Sequence, residues 1–264
     1  MRTRHLSLVV LLFFINVSGA GSRDSGINAG TTLEVQQPAA EPLVPLPNRE
    51  ASLKFGVLGD FGTGSRAQYQ LAEQMVKLHG RFKYELVVLV GDNLYGSHRP
   101  QDFRNKFEIP YKRLLDANVK FYASLGNHDA REQRFYKLFN MEGKLYYTFT
   151  PRPDVRFFML ESTYPVPEQI AWLENELKAS SSNWKIVVFH HPLYSSGDRH
   201  GSDHLLREVL EPLFVKYNVS VVFNGHDHFY ERVKPQKEII YFVVGSGGQL
   251  RVGNIARRSG ITAK

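Results

Sequence analysis

From Lys54 onward, short apolar runs alternate with longer stretches in which apolar residues recur every three or four positions. The runs are Phe55–Leu58, Leu86–Val90, Phe121–Leu125, Val155–Leu160, Ile186–Phe189, Val219–Phe223 and Ile239–Val244. They are rich in β-branched and aromatic side chains, and several are apolar without interruption, as strands buried on both faces are. Gln68–His79, Asp102–Ala117, Pro167–Ala179 and His204–Tyr217 carry the helical period. Pro167 stands at a helix start, where a missing N–H removes no hydrogen bond. Strand and helix in alternation predict an α/β domain.

The chain ahead of this domain reads differently. Arg2, Arg4 and His5 precede an apolar run, Leu6–Val17, which ends in the small residues Ser18, Gly19 and Ala20. That order predicts a secretory signal peptide cleaved after Ala20, since a spanning helix needs roughly 20 apolar residues. Residues 21–50 are poor in large apolar groups and carry Pro38, Pro42, Pro45 and Pro47, the pattern of an extended linker. The expected organisation is a signal at 1–20, a linker at 21–50 and one folded domain at 51–264. It implies a secreted or periplasmic location, with no membrane span once the signal is removed.

Composition narrows the chemistry. Of 264 residues, 42% are hydrophobic and 22% charged, as in an ordinary globular protein. There is no cysteine, which excludes disulfides, thiolate metal sites, iron–sulfur clusters and a cysteine nucleophile. Any metal is held by oxygen and imidazole donors. The net charge of +7 is spread along the chain. No nucleic-acid site is evident, and a mildly basic surface suits small anions. Gly62-Thr63-Gly64-Ser65 lacks the Gly-Lys-Ser/Thr of a P-loop, and no Gly-x-Ser-x-Gly elbow is present.

The apolar runs end in polar residues of one kind. Leu58 leads to Gly59-Asp60, Val90 to Gly91-Asp92-Asn93-Leu94-Tyr95, and Leu125 to Gly126-Asn127-His128-Asp129. Phe189 leads to His190-His191-Pro192, and Phe223 to Asn224-Gly225-His226-Asp227-His228. In open α/β sheets the ligand site lies at the carboxyl ends of the strands. Five such loops converging make a metal site of hard oxygen and imidazole donors.

Taken together, these segments resemble the five motifs of the calcineurin-like metallophosphoesterases and, within them, the purple acid phosphatases of the small, tartrate-resistant type. The resemblance covers residues 54–248. Gly62 stands where most of the superfamily has the histidine of Asp-x-His, and Tyr95 stands where purple acid phosphatases place a tyrosinate. The resemblance implies a four-layer α/β/β/α sandwich, whose closing strands after Gly245-Ser246-Gly247-Gly248 are expected to be cut short here. It implies one metal held by Asp60, Asp92, Tyr95 and His228. Asp92 then bridges to a second metal held by Asn127, His190 and His226. Two carboxylates and a phenolate suit Fe³⁺; imidazoles, an amide and a shared carboxylate suit Fe²⁺, Zn²⁺ or Mn²⁺.

The activity implied is hydrolysis of small phosphate monoesters by a hydroxide held on the two metals. His128 and His200 match the substrate-facing histidines that bind phosphate and assist the leaving group. Asp129 is expected to orient His128, while the role of His191 stays open. His79, His98 and His204 read as structural or solvated, and Asn218-Val219-Ser220 is a glycosylation sequon. Two alternatives remain: a divalent-metal phosphodiesterase or nucleotidase of the same superfamily, and a non-catalytic metal- or phosphate-binding protein. No oligomeric state is read from the sequence.

Overall fold

A computed structural model describes residues 52–256 and 260–263. The expected signal peptide and linker lie outside the described residues. The first half of the domain is a parallel sheet of β1 (Phe55–Leu58), β2 (Leu86–Val90) and β3 (Lys120–Ser124), in that spatial order. Helix α1 (Arg66–Phe82) follows β1. It is opened by the Ser65 side chain accepting from the Gln68 N–H and closed by Lys83 in a left-handed conformation.

The helical stretch between β2 and β3 is interrupted. It runs as α2 (Pro100–Phe103), a π-helical turn (Arg104–Glu108) and α3 (Ile109–Asp116). Pro110 accounts for the interruption: it has no N–H to give the carbonyl of Lys106, four residues back, and its ring crowds that carbonyl. The freed Lys106 oxygen accepts instead from the buried Gln68 amide on α1.

The second half is a six-stranded sheet of β4 (Tyr147–Arg152), β5 (Val155–Met159), β6 (Trp184–Val188), β7 (Val221–Asn224), β8 (Tyr230–Arg232) and β9 (Ile240–Val244). Its spatial order is β4-β5-β6-β7-β9-β8. The central strands are parallel, and β4 and β8 run antiparallel on the edges. Helices α4 (Pro167–Ala179) and α5 (His204–Lys216) complete it.

The pleat sorts this sheet into two faces. Phe157, Met159, Ile186, Val188, Val221 and Phe223 join the core shared with the first sheet. The intervening Phe158, Val187 and Val222 pack with Leu173 and Leu177 of α4 and Leu210 and Phe214 of α5. Phe55 of β1 meets Phe157 edge-on at 5.3 Å and Phe223 at 6.0 Å, joining the two sheets. The expected α/β/β/α arrangement is therefore present.

Two strands go beyond the sequence reading. β4 is a mixed polar–apolar edge strand containing Pro151, a residue that edges tolerate, and β8 has only three residues. The described residues after Gly248 contribute isolated bridges, Gly197 to Ile255 and Val233 to Thr262. Among the described residues no helix is long and apolar enough to cross a membrane.

Phe107, in the π turn, is fully buried. Its ring lies 5.0 Å from Phe121 and 4.9 Å from Phe139, edge-on to both. Phe107→Ala is expected to lower stability by about 3–5 kcal/mol, read as a lower urea midpoint at unchanged m-value.

Candidate metal centre

The five loops converge at the carboxyl ends of β1, β2, β3, β6 and β7. Three of the residues they present, Asp60 (φ 55°), Asp92 (φ 51°) and His226 (φ 70°), hold left-handed backbone conformations that side-chain-bearing residues seldom adopt. Such strain persists only where the surroundings over-determine it. Here they do. The Asp60 carboxylate accepts the His226 N–H at 3.0 Å, and Asp92 accepts the His128 N–H at 2.9 Å. Glycines give the carboxylates room: a Cβ at Gly126 would lie 2.3 Å from Asp92 Oδ1, and one at Gly225 2.5 Å from Asp60 Oδ2.

Two adjoining donor sets result. In the first, the Tyr95 hydroxyl lies 3.2 Å from Asp60 Oδ1, 3.0 Å from Asp92 Oδ2 and 3.3 Å from His228 Nε2. His228 Nε2 is also 3.2 Å from Asp60 Oδ1. In the second, His190 Nε2 lies 3.1 Å from Asn127 Oδ1, 3.2 Å from His226 Nδ1 and 3.4 Å from Asp92 Oδ1. Asp92 faces one set with each oxygen. All seven residues expected to hold metal are thus brought together. Asp60, Asp92, His190 and His228 are buried, and Asn127 is exposed at the mouth.

These spacings suit metal ions. Donors about 2.1 Å from an octahedral centre stand about 3.0 Å apart along its edges. The protonation pattern suits them too. His190 Nδ1 is 2.9 Å from the Val90 carbonyl and must donate to it, so Nε2 carries a lone pair. That lone pair faces Asn127 Oδ1 and Asp92 Oδ1, with His226 Nδ1 beside them.

Burial, and then the charge of Asp92, raises the Asp60 carboxyl well above its ordinary range. Burial, then Asp60 and Asp92, drives the Tyr95 phenol far up as well. Burial also pulls His190 well down, brings His226 to about 2 with His190 and His191 assisting, and brings His228 to about 4 with Arg251 assisting. Cations among these groups favour ionised carboxylates, a phenolate and neutral imidazoles.

Tyr95 reaches the first set because residue 62 has no side chain. A Cβ on Gly62 would fall 1.8 Å from the Asn93 carbonyl oxygen. The Tyr95 N–H donates to the Gly62 carbonyl at 2.9 Å, and Lys106 Nζ donates to the Tyr95 carbonyl at 2.7 Å. The bare backbone at 62 and the placement of Tyr95 are therefore parts of one packing arrangement.

Asp129 corrects the sequence reading. Its carboxylate accepts from the N–H groups of Asn93, Leu94 and Gly126 and from the side chains of Asn93 and Gln133, at 2.7–3.0 Å. These five donors commit it to bracing the Tyr95 loop rather than to orienting the His128 ring. Burial and then Asp92 push its carboxyl up to about 7.

His128 and His200 are exposed on opposite flanks. The His128 ring is 4.8 Å from Tyr95 and the His200 ring 4.2 Å from His226. The His191 ring lies tilted 4.5 Å from His226, and its Nδ1 is 2.9 Å from Ser162 Oγ. Of the other histidines, His79 packs edge-on against Tyr84 at 5.0 Å, and His204 pairs with Arg207.

The sequence reading passes over three residues that matter here. Lys106 supports Tyr95. Asp227 accepts from Ser195 Oγ at 2.5 Å and the Gly201 N–H at 3.2 Å, holding the loop of His200. Arg251, whose N–H donates to the His228 carbonyl at 2.9 Å, brings positive charge toward His228 and His200. The position of Asp227 between two ligand histidines is the available signal for that residue; Lys106 and Arg251 carry none.

Two stacked sheets with paired donor sets at their carboxyl edge define a metal-dependent hydrolase of the phosphoesterase class. The sequence pattern of calcineurin-like phosphoesterases matches residues 53–230, and the chain belongs to that family. Within it the relatives are purple acid phosphatases, which are phosphoric monoester hydrolases. Purple acid phosphatase 17 of Arabidopsis thaliana is 30% identical over 234 residues, covering 75% of this chain and 69% of that protein. Tartrate-resistant acid phosphatase type 5 of Oryctolagus cuniculus is 26% identical over 238 residues, covering 74% and 73%. Among solved structures, GAP50, the anchor in the inner membrane complex of Plasmodium, shares the fold. Its TM-score is 0.67 at 21% identity, over 80% of this chain and 77% of that one.

Asp129→Ala leaves several buried donors without their acceptor, at about 1–3 kcal/mol for each group left unsatisfied. The variant is expected to melt lower, and the NMR signals of Asn93–Tyr95 are expected to broaden while those of α4 and α5 stay in place.

Proposed function

We propose that this chain is a binuclear-metal acid phosphatase that hydrolyses small phosphate monoesters outside the cytoplasm. One observation carries the reading: two adjoining donor sets share Asp92, one set anionic with a phenol, the other rich in neutral imidazole. Asp60, Asp92, Tyr95 and His228 would hold a trivalent iron. Asn127, His190 and His226, with the second oxygen of Asp92, would hold a divalent iron, zinc or manganese. When bound, the pair supplies Lewis acidity that neutralises phosphate charge and activates water near neutral pH.

The chain's own residues do the rest. His128 and His200 flank the mouth, where an imidazole can donate to a phosphate oxygen or pass a proton to the departing alcohol. Asp227 fixes the loop of His200 through Ser195 and Gly201, so that ring meets the substrate already placed. Burial of Asp60 and Asp92 keeps water from the floor, while exposed Asn127 and His128 leave the mouth open. The basic surface draws anionic esters in. For the location, Arg2 and Arg4 ahead of the Leu6–Val17 run and the small residues to Ala20 support a cleaved signal.

The full set of seven donors favours an enzyme over a non-catalytic role such as the anchoring one that GAP50 carries in its name. The test is the visible spectrum of the protein purified in air. A broad band giving a pink or purple colour is expected, and Tyr95→Phe is expected to remove it without changing the far-UV circular dichroism. A colourless protein holding only divalent ions would turn the reading toward a diesterase. His128→Ala and His200→Ala are each expected to lower kcat/KM on an aryl monoester by roughly 10²-fold or more, the usual scale of lost acid–base assistance.

A further inference from the structure

A second cavity opens beside the metal centre. It is a groove of about 790 Å³ between the N-terminal halves of α4 and α5, within the roughly 300–1,000 Å³ of small-molecule sites. Val166 and Ile170 form one wall, Leu205 and Val209 the other. Leu205 is 77% exposed, Val209 48% and Val166 39%. A largely apolar groove with a few polar groups along it has the make-up of a small-molecule site.

The groove is joined to the centre at its inner end. Ser162, which lines it, accepts the N–H groups of His190 and His191 at 3.2 and 3.1 Å and touches His191 Nδ1. Asp203, which lines the opposite side, donates its N–H to the Pro192 carbonyl at 2.7 Å. Both walls are thus hydrogen-bonded to the segment that supplies His190. His191, packed on His226, sits between the donor set and the groove. His200, whose ring lies 4.2 Å from His226, precedes Asp203 by three residues.

We propose that this groove is the leaving-group subsite, and that it takes a neutral apolar alkyl or aryl group of a phosphate monoester. The inference rests on the phosphatase reading and deepens it. With phosphate over the donor sets and the ester oxygen toward His200, the rest of the alcohol passes His191 into the groove. Charge selects the occupant. Asp203 lines the inner end and Glu174, engaged by Lys216 and Tyr217, lines the groove as well. The Asp203 carboxylate disfavours a second phosphate or an acidic side chain, whereas the charge of Glu174 is offset by Lys216.

Ethyl and octyl phosphate test this, because ethanol and octanol are equally poor leaving groups and chain length changes binding alone. Each buried methylene contributes about 0.8 kcal/mol, so kcat/KM of the metal-loaded protein is expected to rise on the order of tenfold or more from ethyl to octyl. In the double variant Leu205→Asp, Val209→Asp, both positions exposed, the octyl-to-ethyl ratio of kcat/KM is expected to fall to about one. In the unmodified protein, octylphosphonate is expected to shift the methyl NMR signals of Leu205 and Val209.

Equal kcat/KM for the two esters overturns the proposal, as does a preference that survives in the variant. So does a variant that turns a dimer into a monomer with the preference unchanged, which would make the groove a contact between copies. If the loaded protein hydrolyses neither of these esters nor an aryl monoester, the phosphatase reading fails instead. The methyl shifts then judge the groove alone: shifts with octylphosphonate retain it as an apolar-phosphate site, and their absence overturns it.

Discussion

Acceptor atoms crowd this centre with few protons to separate them. His190 must give its one N–H to the Val90 carbonyl, so its other nitrogen confronts the oxygens of Asp92 and Asn127. Across Asp92, one phenol proton on Tyr95 is shared among the oxygens of Asp60 and Asp92, with His228 Nε2 beside them. In a buried setting such a cluster is costly by itself, because neither a carboxylate nor an unpaired acceptor tolerates loss of water. Positive charge turns the same geometry into a favourable one. The backbone strain, glycine contacts and bracing loops are arranged around that one requirement.

The scaffold meets the requirement by making each loop hold its neighbour. Asp60 and Asp92 sit in left-handed conformations, and their carboxylates accept backbone N–H groups from the loops of His226 and His128. A residue of the donor sets therefore also serves as a brace. The Tyr95 loop is held from three sides: Gly62 beneath it, Asp129 across it and Lys106 from the helix. Lys106 lies in the π turn before Pro110, so a proline far from the centre in sequence helps set the stretch that supports a ligand.

Polarity grades across the centre from a dry floor to a wet rim. Asp60, Asp92 and His190 are sealed by the strand ends, whereas Asn127, His128 and His200 reach solvent. Groups that hold charge gain from exclusion of water, which strengthens electrostatics, and groups that meet a substrate must stay reachable. The apolar wall of Leu205 and Val209 adjoins Ser162 and Asp203, which are hydrogen-bonded to the segment of His190. An asymmetric mouth of this kind can discriminate among esters whose phosphate ends are identical.

Much of the fold and site is legible in the chain. Unbroken apolar runs such as Val87–Val90 mark strands covered on both faces, and the residues closing each run, Asp60, Asp92, Asn127, His190 and His226, share one chemistry. That repetition is local, so it survives in one dimension. β4 and β8 escape the pattern, because an edge strand holding Pro151 and a three-residue strand carry too little of it. Asp129 reads as the partner of its sequence neighbour His128 and braces Asn93 and Leu94 instead, since turn geometry rather than adjacency decides where a carboxylate points. Glycine at 62 and tyrosine at 95 can be noted separately. That the first makes room for the second appears only when Gly62 meets the Asn93 carbonyl. The sequence by itself determined the donor types, their order and the strands that carry them. Tertiary structure decided which donors face one another, which residues hold them, and where an apolar groove adjoins, because each depends on contacts between segments the chain keeps far apart.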